Sequence, residues 1–157
     1  MLFKGVSSEN LPRSSLLQSR VQTGDFMDCY ACKSKMTARQ AGEELVRFPI
    51  WFYPLFIIRQ ILVLPFGLKG PEKSTNRLGM FPIETETKDE LILGFDDRHL
   101  NFRISVLSDG CRVYATTWVQ RNSRFGRFYL WLIKPFHVLI MKDSVARMAR
   151  ASKRTLA

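Results

Sequence analysis

The stretch HLNFRISVL (residues 99–107) decides the fold, because its polar and apolar side chains alternate from His99 to Val106. Successive side chains of a β-strand point to opposite faces of a sheet, so one face of this strand is apolar and the other is polar. Similar runs occur at residues 80–87, 91–95 and 112–120, and turn-forming residues such as Ser108-Asp109-Gly110 separate them. The pattern predicts an antiparallel meander of four strands with one apolar face.

The residues before the meander predict one strand and two helices. Residues 21–31 suggest a first short strand. Thr37 and Gln40 match a capping box, which predicts a short helix to about Arg47. Residues 50–64 are almost wholly apolar, and their largest side chains recur at helical spacing, so they predict a second helix.

The last third of the chain predicts one long helix. Asn122 or Ser123 can cap its start, and apolar residues then recur at helical spacing to about residue 140. Pro135 lies well inside this helix and is expected to kink it. The predicted fold is therefore α+β, with about five strands in the order β-α-α-β-β-β-β-α. This element order is similar to that of helix-grip folds, which implies a sheet wrapped around the long, kinked C-terminal helix.

The 157 residues are an ordinary length for one domain, and 46% hydrophobic with 24% charged residues is a globular composition. We expect a single domain over 1–157, with a poorly structured lead-in at 1–20, a core at 21–150 and a basic tail at 151–157. No apolar run follows Met1, and three cysteines do not suit a disulfide scaffold. Both observations favour the cytoplasm, and the inner membrane surface is the alternative location.

The net charge of +10 is concentrated at the C-terminal end. Residues 111–157 carry ten cations and one acid, Asp143, whereas the rest of the chain is nearly neutral. This distribution places any anionic partner, either a phospholipid surface or a nucleic acid, at the last third. The aromatic residues among these cations occupy core-like helical positions and not an exposed stacking surface, which disfavours nucleic acid.

The apolar segment at residues 48–68 is long enough to span a bilayer, but it contains three prolines, Arg59 and Gln60. An arginine at the bilayer centre costs about 2.5 kcal/mol or more. A helix in the protein core or at the membrane interface is therefore favoured over a spanning helix, and the sequence leaves both of these alternatives open for residues 50–64.

No familiar motif predicts a metal or a cofactor. Cys29 and Cys32 have the spacing of a redox pair, but on a strand they point to opposite faces. A zinc site would need two further ligands, and only Cys111, His99 and His137 are available. Buried, unreactive cysteines are the favoured interpretation of the pair, and we expect neither a metal nor a cofactor.

Two groups of polar residues are candidates for a site. His99 follows Asp97 in a charged turn, and Arg103 follows on the same strand face, so a carboxylate could orient an imidazole base beside an anion-binding arginine. A solvated, charged hairpin is the alternative. Arg59 lies in an apolar helix, where it must extend to water, pair with an acid or bind an anionic ligand.

The run at 93–103 resembles the central motif of a bacterial family, domain of unknown function 2867. The resemblance spans about residues 25–145, and further matching positions are Arg59, residues 65–68, Thr117, Asn122, Gly126-Arg127, Tyr129 and residues 135–137. It implies a bacterial protein with no assigned function. The element order is also similar to the START-type helix-grip fold shortened by two strands, in which a sheet and a C-terminal helix often enclose an apolar cavity.

These observations favour a binding domain over an enzyme, with a small apolar or amphipathic ligand, anionic at one end, between the sheet and the C-terminal helix. The expected apolar wall is Leu100, Phe102, Val113, Phe128, Leu132 and Phe136. The candidate ligand-binding residues are Arg59, Phe102, His99, Arg103, Tyr129 and His137. Two alternatives are a peripheral protein that binds anionic membranes through its basic third, and an enzyme with Asp97 and His99 as an acid–base pair. The sequence does not predict an oligomeric state.

Overall fold

The structure, a computed structural model, describes residues 3–63, 65 and 75–155, which contain seven strands and three α-helices. The strands are β1 (Ser7–Ser8), β2 (Phe26–Lys33), β3 (Arg77–Leu78), β4 (Phe81–Glu86), β5 (Glu90–Asp96), β6 (Leu100–Ser108) and β7 (Arg112–Arg121). The helices are α1 (Ala38–Leu45), α2 (Phe52–Val63) and α3 (Arg124–Thr155). All strand pairs are antiparallel, and the order across the sheet is β1-β2-β7-β6-β5-β4-β3.

The α+β class and the four-stranded meander are confirmed. β6 pairs with β5 on one side and with β7 on the other, and Val106 lies opposite Ala115 in the apolar register. Asp109 closes the β6–β7 turn, because its Oδ1 accepts hydrogen bonds from the backbone N–H groups of Cys111 at 2.8 Å and Arg112 at 2.6 Å. These bonds favour the charged carboxylate and lower the pKa of Asp109.

The sheet has seven strands and not about five, because a two-residue strand lies at each edge. Strands this short show no alternation, so the sequence pattern could not predict them. The first long strand also starts later than the predicted residues 21–31. Gln22 donates its backbone N–H to Asp25 Oδ2 at 2.9 Å, and Gly24 adopts a positive φ of 93°, so these residues form a turn before β2 begins.

The two predicted helices after β2 are present. The capping box of α1 is complete, since Gln40 N–H donates to Thr37 Oγ1 at 3.2 Å and Thr37 N–H donates to Gln40 Oε1 at 3.0 Å. α2 begins beside β4, where Phe52 stacks on Phe48 at 4.1 Å and Phe48 contacts Phe81 edge-on at 6.3 Å.

The long C-terminal helix α3 is confirmed, and Ser123 caps it by accepting a hydrogen bond from Gly126 N–H at 3.0 Å. The helix continues past Pro135 as far as Thr155, so most of the predicted basic tail is helical. Ser152 is buried within it, and its hydroxyl accepts a hydrogen bond from the backbone N–H of Lys35 at 3.3 Å.

The lead-in at residues 1–20, predicted to be poorly structured, packs on the sheet over the part that the structure describes. Leu17 is fully buried in a cluster with Ile92 and Trp118, on the sheet face opposite to the helices. Ser15 donates to the buried Glu90 carboxylate at 2.6 Å. The lead-in thus covers Glu90 on this face of the sheet. Hydropathy alone did not indicate this packing.

Among the described residues, two apolar clusters lie between the sheet and the helices, and the partly buried Phe102 packs against both of them. The large cluster contains sixteen buried residues, to which α3 contributes Met141, Val145, Met148 and Ala149. The small cluster contains four buried residues, which are Leu100, Val119, Tyr129 and Leu130. We call residues 124–139 the front half of α3, which belongs mainly to the small cluster, and residues 140–155 the back half, which belongs to the large one.

Candidate functional site

Arg103, a predicted ligand anchor, is buried and paired with acids. Its Nε donates to the Glu84 carboxylate, its Nη1 lies 2.9 Å from Asp96 Oδ1, and Nη1 also donates to the backbone carbonyl of Phe102 at 2.8 Å. Gly94 lies opposite Arg103 on β5, and a Cβ there would lie 2.2 Å from Phe102 O. The glycine leaves the space in which the arginine crosses β5 towards its two carboxylates.

His99 and Asp97 hold the turn between β5 and β6. Asp97 Oδ1 accepts a hydrogen bond from the backbone N–H of His99 at 3.4 Å. The His99 imidazole lies with its Nδ1 3.0 Å from Ser123 Oγ, and its ring contacts Phe125 edge-on at 4.9 Å between centroids. A Cβ on Gly126 would lie 2.3 Å from His99 O, so the glycine lets the first turn of α3 touch this turn. These contacts fix the helix start to the sheet.

The contact between Asp97 and His99 therefore differs from the predicted acid–base pair, in which the carboxylate would orient the imidazole. The Asp97 carboxylate accepts a hydrogen bond from the backbone N–H of His99, and the Ser123 hydroxyl beside the imidazole also caps α3. Arg59 belongs to α2, but its side chain lies outside the described part of the structure. The structure does not bring the described candidate anchors His99, Arg103 and His137 together in one pocket.

Another polar group lies under α3, between the two apolar clusters. Asp28 on β2 is directly opposite Thr117 on β7, and His137 Nε2 from α3 lies 3.3 Å from Asp28 Oδ2. Thr117 Oγ1 is buried without a hydrogen-bond partner among the described residues, and the Asp28 carboxylate has the His137 imidazole as its neighbour. We call Asp28, Thr117 and His137 the polar layer.

The polar layer also affects the pKa of Tyr30, which lies next to it on β2. Burial raises the pKa of Tyr30, and the negative charge of Asp28, two residues away on the same strand face, raises it further. Sequence analysis proposed His137 and missed Asp28 as a site residue. The available signal was position, because alternation along β2 places Asp28 on the same face as the apolar rings of Phe26 and Tyr30.

The predicted apolar wall is only partly inside the protein. Val113 is fully buried and Leu100 nearly so, but Phe128, Leu132 and Phe136 are 57%, 39% and 47% exposed. Sequence periodicity chose the wrong stripe of α3, since the residues that contact the small cluster are Phe125, Tyr129, Leu130 and Ile133. The front half of α3 is apolar around much of its circumference, so hydropathy could not show which side faces the sheet.

Most of the exposed large hydrophobic residues fall on two segments. Of the thirteen among the described residues, eleven lie on or next to α2 and on the front half of α3. We call them the exposed apolar face: Ile50, Trp51, Tyr53, Ile57, Ile58, Ile61, Phe128, Trp131, Leu132, Phe136 and Leu139. α2 starts beside Phe81, and Phe81 contacts the same core cluster as α3, so both helices cover one side of the sheet.

The two segments that carry the exposed apolar face contain cations in their sequence and no acid. Residues 124–142 contain Arg124, Arg127, Lys134 and Lys142 but no Asp or Glu. The first two are exposed in the first turn of α3, where the helix dipole favours anions and disfavours cations by about 0.3–1 kcal/mol each.

A shallow cavity of about 360 Å³ lies on the opposite side of the sheet, where Leu16 of the lead-in meets Glu90 and Leu107. It is remote from the predicted sheet–helix ligand site. Within the described residues, no cluster of His, Cys, Asp or Glu is arranged to hold a metal ion. No described helix is both long and apolar enough to cross a bilayer.

The fold and these side chains define an α+β protein in which an antiparallel sheet carries a long, half-exposed C-terminal helix. Residues 20–144 match the family described as protein of unknown function (DUF2867), and the chain belongs to this family. No curated protein and no solved structure gave a significant match.

Proposed function

We propose that the protein docks on anionic membrane surfaces through the exposed apolar face and the cations beside it. One observation carries this proposal: eleven large apolar side chains are exposed on two segments that contain cations and no acids. Isolated exposed hydrophobic residues are ordinary on protein surfaces, but a concentration of this kind marks an interaction surface.

The charge of the face identifies the kind of partner. Trp131 is 71% exposed and lies between Arg127 and Lys134 in sequence. Aromatic and aliphatic groups that enter the headgroup region, with basic groups at its surface, are typical of interfacial helices. Each cation near an anionic bilayer contributes about 1 kcal/mol, which falls as salt screens the surface charge.

Vesicle sedimentation tests the proposal. We expect the wild-type chain to pellet with phosphatidylglycerol-containing vesicles, to stay in the supernatant with pure phosphatidylcholine, and to be released by salt. The double variant Phe128→Ser/Trp131→Ser removes two large apolar groups and is expected to bind at least about tenfold more weakly. Its matched control, Leu16→Ser/Met27→Ser, alters two exposed apolar residues outside the face and should bind like wild type.

A second pair of variants separates local charge from net charge. Arg124→Gln/Arg127→Gln and Arg150→Gln/Lys153→Gln remove equal charge from opposite ends of α3. We expect only the first pair to weaken binding strongly, by about tenfold at low salt. Equal recovery of wild-type protein in the supernatant with and without anionic lipid would reject membrane docking. Concentration-dependent self-association abolished by Phe128→Ser/Trp131→Ser would instead identify the face as a contact between copies of the chain.

The polar layer supports a second candidate, a small ligand between the sheet and the front half of α3. The buried Thr117 hydroxyl has no hydrogen-bond partner among the described residues and can bond to a ligand, and the small cluster beside it would hold an apolar body. Because Asp28 is acidic, a hydroxyl or amine head group fits this position better than the anionic head expected from sequence.

Thermal shift and native mass spectrometry with long-chain alcohols, isoprenols and fatty acids test this candidate. Alcohols should raise the midpoint of unfolding and bind one per chain, and Thr117→Val should reduce the shift, whereas fatty acids should have little effect. The absence of a shift with every alcohol and isoprenol would count against the ligand.

A further inference from the structure

We propose that Ser123 and His99 form a nucleophile–base pair that hydrolyses esters of anionic amphiphiles. This activity goes beyond membrane docking. The pair itself does not depend on docking, and only the choice of substrate rests on the proposed function. The observations that carry the inference are the contact between the two side chains, the backbone contacts that hold them together and the chemistry of the residues beside them.

The two side chains lie within hydrogen-bonding distance at the start of α3. His99 Nδ1 is 3.0 Å from Ser123 Oγ, and both residues are half-buried, so the pair is in part accessible from solvent. A hydroxyl has one proton and two lone pairs. One lone pair of Ser123 Oγ accepts the Gly126 N–H at 3.0 Å, which leaves the hydroxyl proton for Nδ1 of the neutral imidazole. A serine in this contact with an imidazole is the arrangement that activates a hydroxyl as a nucleophile.

Capping of α3 accounts for the serine but not for the imidazole. Thr37 caps α1 with Gln40 as its side-chain partner, so a helix cap in this chain does not require an imidazole. At the start of α3, a Cβ on Gly126 would lie 2.3 Å from His99 O, and Asn122 N–H donates to the same carbonyl at 2.9 Å. The backbone therefore holds the imidazole beside the serine, on two elements that are fixed to each other.

The reaction that fits this pair is acyl transfer from an ester to water. Ser123 Oγ attacks the ester carbonyl carbon, and its proton passes to His99 Nδ1. The bond between that carbon and the alcohol oxygen breaks, the alcohol leaves with the proton from His99, and the acyl group stays on Ser123. Water then attacks the acyl-serine and gives a proton to His99, the carboxylic acid is released, and the proton returns to Ser123 Oγ. Water is the co-reactant that the reaction consumes.

The residues that follow Ser123 indicate the class of ester. Arg124 and Arg127 are exposed in the first turn of α3, and Phe128 of the exposed apolar face is 57% exposed directly after them. A substrate with an anionic group for the arginines and an apolar chain for the phenylalanine matches this surface. Ester lipids with an anionic head group combine both features, and the proposed docking would bring the pair to a surface that contains them.

Ester hydrolysis and covalent labelling of the full chain test the pair. We expect the wild-type protein to hydrolyse p-nitrophenyl butyrate and to be labelled at Ser123 by a fluorophosphonate, with the labelled peptide identified by mass spectrometry. Ser123→Asn keeps an effective helix cap but has no nucleophile. It should therefore retain the wild-type thermal midpoint, lose the label and hydrolyse the ester at least about a hundredfold more slowly. His99→Gln removes the base and should slow hydrolysis by at least about the same factor.

Thr37→Ala is the control for the loss of a cap, because Thr37 caps a different helix. It should lower the thermal midpoint and leave kcat/KM for p-nitrophenyl butyrate unchanged. A purely structural role for Ser123 predicts the opposite pattern, in which Ser123→Asn is as active as the wild-type protein.

Lysophosphatidylglycerol and lysophosphatidylcholine test the substrate class. The wild-type protein should hydrolyse the anionic lysolipid with a kcat/KM at least about fivefold higher than that for the zwitterionic one. Arg124→Gln/Arg127→Gln should remove most of this preference, because each cation contributes to attraction of the anionic head group.

The outcomes separate the pair from its substrate class and from docking. Absence of both hydrolysis and Ser123 labelling in the wild-type protein, or full activity in Ser123→Asn, would overturn the pair and leave docking as it stands. Hydrolysis of p-nitrophenyl butyrate without a preference for the anionic lysolipid would overturn the substrate class. If the protein hydrolyses the soluble ester but does not sediment with anionic vesicles, docking fails and the pair stands.

Discussion

The two halves of α3 differ in burial, and the more hydrophobic half is the more exposed one. The front half carries Phe128, Trp131 and Phe136, and all three side chains are at least 47% exposed. The back half carries smaller and more polar residues, yet Val145, Ala146 and Met148 are completely buried. The more apolar half of one continuous helix is therefore the half with less protein around it.

This difference shows that the burial of a helix depends on the elements that pack against it. The back half lies against α1 and the sheet, and contacts near the end of α1 hold it there. Ser144 donates to the Leu45 carbonyl at 3.4 Å, and Arg147 donates to the Glu44 carbonyl at 3.3 Å. Among the described residues, the front half packs mainly on the small cluster, and several of its large apolar side chains stay exposed.

The largest expected effect concerns stability, and it tests whether the back half carries the fold. Met148→Ala should leave a cavity in the large cluster and lower the free energy of unfolding by about 2–5 kcal/mol. Leu130→Ala in the small cluster should cost about 1–2 kcal/mol, because its partly exposed neighbours can relax into the space. Urea unfolding followed by circular dichroism measures both changes.

Leu132→Ala is the control for this pair, since its side chain is 39% exposed and should cost less than about 1 kcal/mol. If Leu130→Ala destabilises the protein as much as Met148→Ala does, the halves are equally integrated. The comparison between them would then fail.

The sequence predicted the parts of the fold that depend on local chemistry. Alternation at residues 99–107, the Thr37–Gln40 capping box and the turn at Asp109 each depend on neighbours within a few positions. The two-residue edge strands and the covering of the sheet by the lead-in depend on distant partners. Glu90, for example, binds Ser15, seventy-five residues before it, and no local pattern encodes that contact.

The candidate site was less predictable than the fold for a related reason. Sequence analysis proposed Arg103 as an anion-binding residue, but its carboxylate partners come from β4 and from the end of β5. Which stripe of α3 faces the sheet was also undetermined, because Phe128 and Tyr129 are equally suitable as core residues. The structure resolves the choice in favour of Tyr129, which is 7% exposed.

The smallest expected effect uses thiol reactivity to compare the two halves directly. Cys32 lies in the large cluster, and burial raises its pKa to about 11. At pH 8 only about one thiol in a thousand would then be thiolate, and this fraction rises tenfold for each pH unit until the pKa is reached. Cys32 should therefore react slowly with a disulfide reagent, both in solution and on vesicles.

A reporter on the front half of α3 completes this test. In a background with Cys29, Cys32 and Cys111 replaced by serine or alanine, Leu130→Cys should react several-fold faster in solution than Cys32 does when only the other two cysteines are replaced. The reason is that a small cluster opens more readily than a large one. Equal rates at the two positions would mean that both halves of α3 open together, because Cys32 becomes reactive only when the large cluster opens.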